Sequence, residues 1–173
     1  MFYLGQWDRP SGLVYSDLSD AHWVSCMPDG WEAWPLFAGE DTGFNNPTAI
    51  VYGSLSPDDV LYIYDEYYEA GRTPVENAQV AASQGIRMGW GDPEDPAAIE
   101  LFRQNGWRNF QACPRHEVRD GILEVIGRIR TNRIRFVRGN LDALPRELDS
   151  YIWDAKNPER PVKANDHAMD ALR

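Results

Sequence analysis

Near its end, in the stretch NDHAMDALR, the chain sets two aspartates and a histidine within five residues: Asp166, His167 and Asp170. Two more aspartates stand where strand-like runs stop, Asp41 after LFAGE and Asp92 after IRMGWG. Crowded carboxylates raise one another's pKa and cannot all ionise without a counter-charge, so an acidic cluster calls for a bound cation. Oxygen-only ligands favour a hard ion such as Mg²⁺ or Mn²⁺. Two such ions about 3.5–4 Å apart activate a water and stabilise a leaving oxygen, which is the chemistry of phosphodiester hydrolysis.

On a closing helix, Asp166 and Asp170 stand at i and i+4 and share a face, with His167 turned about 100° away. Without a cation the acidic pair costs a few tenths of a kcal/mol. Each residue also has a plainer role. An aspartate after a strand serves as a turn or cap, and one at a helix start answers the macrodipole.

Bringing these positions together requires elements that end at one place. LFAGED, TAIVYGSL and VLYIYDEYY are rich in β-branched and aromatic residues, and the last two are separated by Ser-Pro-Asp-Asp, which predicts three consecutive strands. Thr73-Pro74 opens a helix that Gly85 closes, IRMGWG is a strand delivering Asp92, and EDPAAIELFRQNG repeats the helix grammar up to a glycine. FQACP then reads as a strand, VRDGILEVIGRIR as a helix and RIRFVRG as a strand. NLDALPRELDSYIWD reads as helical, begun or kinked at Pro145. Strands followed by alternating helices and strands make an α/β mixed sheet with a leading antiparallel hairpin, and strand ends are where such folds gather functional side chains.

Bulk properties bound the function. A chain of 173 residues with 43% apolar and 12% aromatic residues buries a core as one domain. Its net charge of −10, from 27 acidic and 17 basic residues, excludes a broad non-specific grip on a polyanion, so nucleic acid needs a local basic patch. Cys26 and Cys113 form no CxxC pair, so neither a disulfide framework nor a zinc module is signalled. No apolar run is long enough to span a membrane and the start lacks a signal peptide's charged and apolar regions, which predicts a soluble, intracellular protein. No G-x-x-x-x-G-K-[ST] phosphate loop is present, so the chain is not a motor ATPase.

AGEDTGFNNPTA, GDPEDP and NDHAMDALR occur in that order, with YDEYYEAGRTP between the first two and ELDSYIWD before the third. Together they resemble the nuclease domain of the large terminase subunit of tailed phages. The resemblance runs from about Leu36 to Arg173, and DHAMDALR is its most specific piece. It implies a ribonuclease H-like fold, a mixed β-sheet flanked by helices. It also implies a metal-dependent endonuclease that uses two divalent cations, Mg²⁺ or Mn²⁺, to cut concatemeric double-stranded DNA in the cytoplasm of the infected bacterial host. Carried over by position, Asp41, Asp92 and Asp166 are the three metal-binding aspartates and Asp170 is a further metal ligand. His167 is a proton handler or orienter, or else an ordinary helix histidine. Implied partners are the motor ATPase domain of the same parent chain, the small terminase subunit and the portal, with no membrane. Residues 1–34, rich in Trp, Gly and Pro, read as an arm leading from the motor side, and residues 35–173 as the nuclease domain.

Glu40 stands where many relatives carry a small or apolar residue. Strand alternation points it away from Asp41, which makes it a spare, and Glu94 and Asp95 read as a helix cap and first-turn charges. For DNA, GRIRTNRIRFVRG brings Arg133 and Arg135 onto one outer face, with a solvated strand edge as the alternative. Arg115, His116 and Arg119 form a second basic cluster at a helix start, where cations oppose the dipole. Trp7, Trp23, Trp31 and Trp34 read as packing anchors of the arm rather than stacking platforms for bases. Two other functions stay open: another ribonuclease H-like enzyme, such as a junction resolvase or transposase core, and a metal-free docking module.

Overall fold

Among the residues described by the computed structural model, 11–43, 45–114 and 117–173, seven strands form one sheet. They are β1 (Trp23–Val24), β2 (Leu36–Asp41), β3 (Thr48–Leu55), β4 (Leu61–Glu69), β5 (Met88–Gly91), β6 (Phe110–Ala112) and β7 (Ile134–Val137), in the order β1-β7-β4-β3-β2-β5-β6. Strands β2, β3 and β4 are an antiparallel meander, and every other pairing is parallel. The helices are α1 (Pro74–Ser83), α2 (Pro96–Gln104), α3 (Val118–Arg130), α4 (Ala143–Leu148) and α5 (His167–Leu172). This is the α/β mixed sheet with a leading hairpin that the sequence predicts. No helix among the described residues is long and apolar enough to cross a membrane.

Local chemistry explains the boundaries. Asp59 takes the left-handed conformation (φ 60°) in the turn between β3 and β4, which an aspartate tolerates. Thr73 and Glu76 close a capping box at the start of α1 with Pro74 in the first turn. At α2 the Asp95 carboxylate accepts a hydrogen bond from the Ala98 N–H at 2.9 Å, the cap that its position predicts.

Strand β3 is buried on both faces, and its alternation divides two cores. Ala49 and Val51 face one core with Ile122, Val125 and Ile129 of α3, Leu144 of α4 and Met169 of α5. Ile50 and Tyr52 face the other, with Ala78 and Ala81 of α1, Ile99 and Phe102 of α2, and Phe110 of β6. Asp41 pairs with Ala49 and Glu40 with Ile50, so the two acids at the end of β2 belong to opposite faces. Helix α5 lies directly on β2: a Cβ at Gly39 would collide with the Ala171 carbonyl oxygen. Only glycine permits that approach.

One segment differs from expectation, and residues 11–34 pack onto the domain as an arm with its tryptophans as anchors. The helix predicted through NLDALPRELDSYIWD covers only Ala143–Leu148, with Pro145 in its first turn. Beyond it Ile152 pairs with Leu13, the Val14 N–H donates to the Tyr151 carbonyl at 2.8 Å, and the Tyr15 and Tyr151 rings stack with centroids 5.8 Å apart. Burying two tyrosines outweighs another turn of helix. Within 11–34, Val14, Tyr15 and Leu18 lie in the α3 core, β1 extends the sheet, and Trp23 packs on Phe136. Trp31 and Trp34 pack on Tyr64 and Tyr62 of β4. Trp7 falls outside the described residues.

Candidate active site

Strands β2 and β5 are parallel neighbours, with Gly39 opposite Trp90, so their C-terminal ends adjoin. Asp41 ends the first, and Asp92 follows the second by one residue. Asp92 Oδ1 accepts from the Glu94 N–H at 2.8 Å, a local turn that leaves the residue at the mouth of a cleft of about 500 Å³. Gly39, Asp41 and Asp92 line this cleft together with Lys163, Asp170 and Arg173.

Helix α5 carries its acids against β2. His167 Nδ1 and Asp41 Oδ2 are 2.8 Å apart, with both side chains roughly four-fifths buried. Burial holds the Asp41 carboxyl above its ordinary pKa, and the bond to His167 partly offsets the rise. Asp170 is paired twice, to Lys163 Nζ at 3.0 Å and to Arg173 Nε at 2.9 Å. Asp166 differs from the prediction in being the N-cap of α5 rather than part of its body, and its backbone carbonyl accepts from the Asp170 N–H at 2.8 Å. Its carboxylate is buried, and Oδ2 has no hydrogen-bond partner. Lys163 Nζ, 3.8 Å away, is beyond hydrogen-bond range. Burial and then the Asp170 charge raise the Asp166 pKa. Asp166 is not among the residues lining this cleft.

The donor chemistry suits a hard cation, because the carboxylates supply oxygen and one buried carboxylate oxygen has no partner. The ligand set is not drawn together, however. Among the described residues no group of three or more His, Cys, Asp or Glu side chains is placed to hold one metal ion.

Glu40 is more than the spare that its facing away from Asp41 suggests. It does face away from Asp41, yet it is buried and lines the same cleft, where the Thr42 hydroxyl donates to it. Burial pushes its pKa up to about 8; the Thr42 bond opposes the rise, and the nearby charges of Asp41, Asp95 and Asp92 add to it. Lys163 and Arg173 were missed altogether. Their signal was in the sequence, since each stands three residues outside an acid of the motif, Lys163 before Asp166 and Arg173 after Asp170.

The candidate DNA-contacting arginines fall in different places. Ile134 of β7 is opposite Leu61 of β4, which is opposite Leu55 of β3, whereas Asp41 is opposite Ala49. Arg133 and Arg135 therefore sit at the end of the strands away from the cleft, three strands over from β2. Arg133 pairs with Asp59 at 2.6 Å, and Arg135 donates to the Asn132 and Ile134 carbonyls. Among the described residues β1 pairs with Phe136 and Val137 and not with Ile134 or Arg135, so the solvated strand edge offered as the alternative fits Arg135. Arg119 follows Val118, a cleft-lining residue, and pairs with Glu159 at 2.8 Å on the surface. Arg115 and His116 lie outside the described residues.

Comparison with solved structures places this arrangement. The large terminase of a thermophilic bacteriophage superposes with a TM-score of 0.80 at 28% identity, over 92% of this chain and 42% of that one. The P22 large terminase nuclease domain gives 0.75 at 19% identity, over 93% and 89% of the two chains. The nuclease domain of g2p, the large terminase of bacteriophage SPP1, with bound Mn, gives 0.73 at 16% identity, over 91% and 93%. No protein-family model matches the sequence, and no curated protein matches it. The chain spans less than half the length of the thermophilic phage's large terminase. Its described architecture, a seven-stranded mixed sheet between two helical layers, is the ribonuclease H-like fold of the nuclease domains of phage large terminases, and the likeness covers nearly all of its length.

Proposed function

We propose that the chain is a metal-dependent endonuclease domain of a DNA-packaging terminase, hydrolysing phosphodiester bonds of concatemeric double-stranded DNA with little sequence preference. The observation that carries this reading is the convergence of Asp41 and Asp92, at adjoining strand ends, with Asp170 in one cleft. The likeness to a nuclease domain with bound Mn adds to it.

Asp41, Asp92, Asp166 and Asp170 would hold two divalent cations, Mg²⁺ or Mn²⁺. When bound, such ions supply an activated water and neutralise charge on the leaving oxygen. The chain's own groups do the rest. His167, bonded to Asp41, fixes the direction of that carboxylate and can take or give a proton at its edge. Lys163, whose pKa burial lowers but which the Asp170 bond and charge raise overall, stays cationic beside Asp170 and balances the cluster before cations enter. Lys163, which lines the cleft, and Arg119, next in the chain to the cleft-lining Val118, are the groups that would meet backbone phosphates.

The remaining parts of this reading concern the larger protein: residues 1–34 lead in from a motor ATPase domain of the same parent chain, and the small terminase subunit and portal hold the DNA. Cutting takes place in the cytoplasm of the infected host. One observation favours a metal-free docking module instead, namely that Lys163 and Arg173 already neutralise Asp170.

The two readings separate in one assay, nicking and linearisation of supercoiled plasmid with Mg²⁺, Mn²⁺ or EDTA. Metal-dependent cutting that Asp41→Ala and Asp92→Ala each abolish is the expected result. A folded wild-type protein that cuts with neither metal overturns the nuclease reading.

A further inference from the structure

An aspartate at an N-cap ordinarily turns its side chain back onto the N–H groups two and three residues ahead. For Asp166 those donors are Ala168 and Met169, and both are taken. Glu147, from α4, accepts from Ala168 N–H at 2.7 Å and from Met169 N–H at 3.1 Å through Oε2, while its Oε1 accepts from the Tyr68 hydroxyl of β4 at 2.6 Å. Glu147 is only 5% exposed. Accordingly Asp166 makes no side-chain cap bond, and its buried Oδ2 has no hydrogen-bond partner.

Glu147 is itself held in place. The start of the helix that carries it is capped by Glu66 of β4, whose carboxylate accepts from the Asp142 and Ala143 N–H groups at 2.6 Å and from Leu144 N–H at 2.9 Å. Strand β4 thus fixes α4 through Glu66 and fixes Glu147 directly through Tyr68. The start of α5 inherits its position from the sheet by both routes, with each buried donor satisfied.

We infer that Glu147 is a positioning residue: by capping α5 from a neighbouring helix, it keeps the Asp166 carboxylate from folding onto its own helix end and leaves it available to a divalent cation. Without Glu147, the N–H groups of Ala168 and Met169 are orphaned inside the protein, and Asp166, as the N-cap residue, occupies the position from which a side chain caps them. The carboxylate then serves the backbone instead of the site. This inference rests on the cation-binding reading proposed above.

The test is Mn²⁺ binding by the purified full chain, read from the electron paramagnetic resonance of the free ion, for wild type, Glu147→Ala, Asp166→Asn and the double variant. Glu147→Ala is expected to weaken binding by about 10–100-fold, the range for loss of a group that orients a ligand. The double variant is expected to bind no more weakly than Asp166→Asn alone, because Glu147 acts only through Asp166. Glu147→Gln, whose amide oxygen still accepts from α5, is expected to stay within about threefold of wild type. Losses that multiply in the double variant, or a folded Glu147→Ala that binds Mn²⁺ like wild type, overturn the inference. Should Glu147→Ala fail to fold, Glu147→Asp, which keeps the charge but falls one methylene short of α5, replaces it in the same cycle with the same outcomes. Wild-type protein that binds no Mn²⁺ overturns the reading on which the inference rests, and the inference with it.

Discussion

His167 Nδ1 lies 2.8 Å from Asp41 Oδ2, joining the last helix to the end of the first long strand across 126 residues of sequence. That bond is the shortest link between the two parts of the candidate site. His167→Ala removes it without emptying the core, since the side chain is part-exposed. Plasmid nicking with Mn²⁺ is expected to fall about 10–100-fold, with stability lowered by no more than about 1–2 kcal/mol. Unchanged nicking by the variant would return His167 to the role of an ordinary helix histidine.

Gly39 determines whether that bond can form. An alanine there places its Cβ against the Ala171 carbonyl, a backbone atom that moves only if α5 moves. Gly39→Ala is expected to cost about 1–3 kcal/mol in thermal or urea unfolding and to lower Mn²⁺ affinity at the same time. A variant with wild-type stability would show that α5 sits further from β2 than described.

Glu40 makes a pH-dependent contribution of definite sign. Its carboxyl is raised by burial from an ordinary 4.5 to about 8, so the folded chain holds the proton more tightly than the unfolded chain. Its stabilising effect is complete below 4.5 and is lost as pH rises through about 8. Glu40→Gln keeps the shape and cannot ionise, so in EDTA its stability relative to wild type is expected to grow by about 1–3 kcal/mol across that window. Parallel stability curves for the two proteins would place the proton elsewhere.

The arginines divide by location. Arg133 and Arg135 stand at the end of the strands away from the cleft, whereas Arg119 follows the cleft-lining Val118 in the chain. The double substitution Arg133→Ala with Arg135→Ala is expected to leave DNA cleavage and its salt dependence unchanged. Arg119→Ala is expected to reduce the salt slope of DNA binding by about one. The opposite pattern would move the DNA path across β7.

What the sequence determined by itself is mainly local. The alternation in TAIVYGSL, the capping box of Thr73 and Glu76, and the proline and glycine punctuation around α1 and α2 each act within a few residues, and the elements form where those signals stand. The order of the elements then restricts the topology to a mixed sheet whose adjoining strand ends receive Asp41 and Asp92. Asp41 and Asp92 were legible for the same reason, because strand ends can be read from short windows, whereas the sequence set Asp166 inside the helix that it caps. Tertiary structure alone decided the rest. Tyr151 left the predicted helix because its partner, Tyr15, lies more than a hundred residues earlier, and no local preference encodes that burial. Glu40 became a buried acid because α2 and β6 cover the face that strand alternation had merely called the other side. Arg133 and Arg135 went to the far end of the strands because strand direction, invisible in a basic run, determines which end of β7 meets the cleft. Glu147 took the donors that Asp166 would otherwise have used, since a cap can come from any carboxylate the fold brings within reach, and which one arrives depends on how α4 and α5 pack on β4.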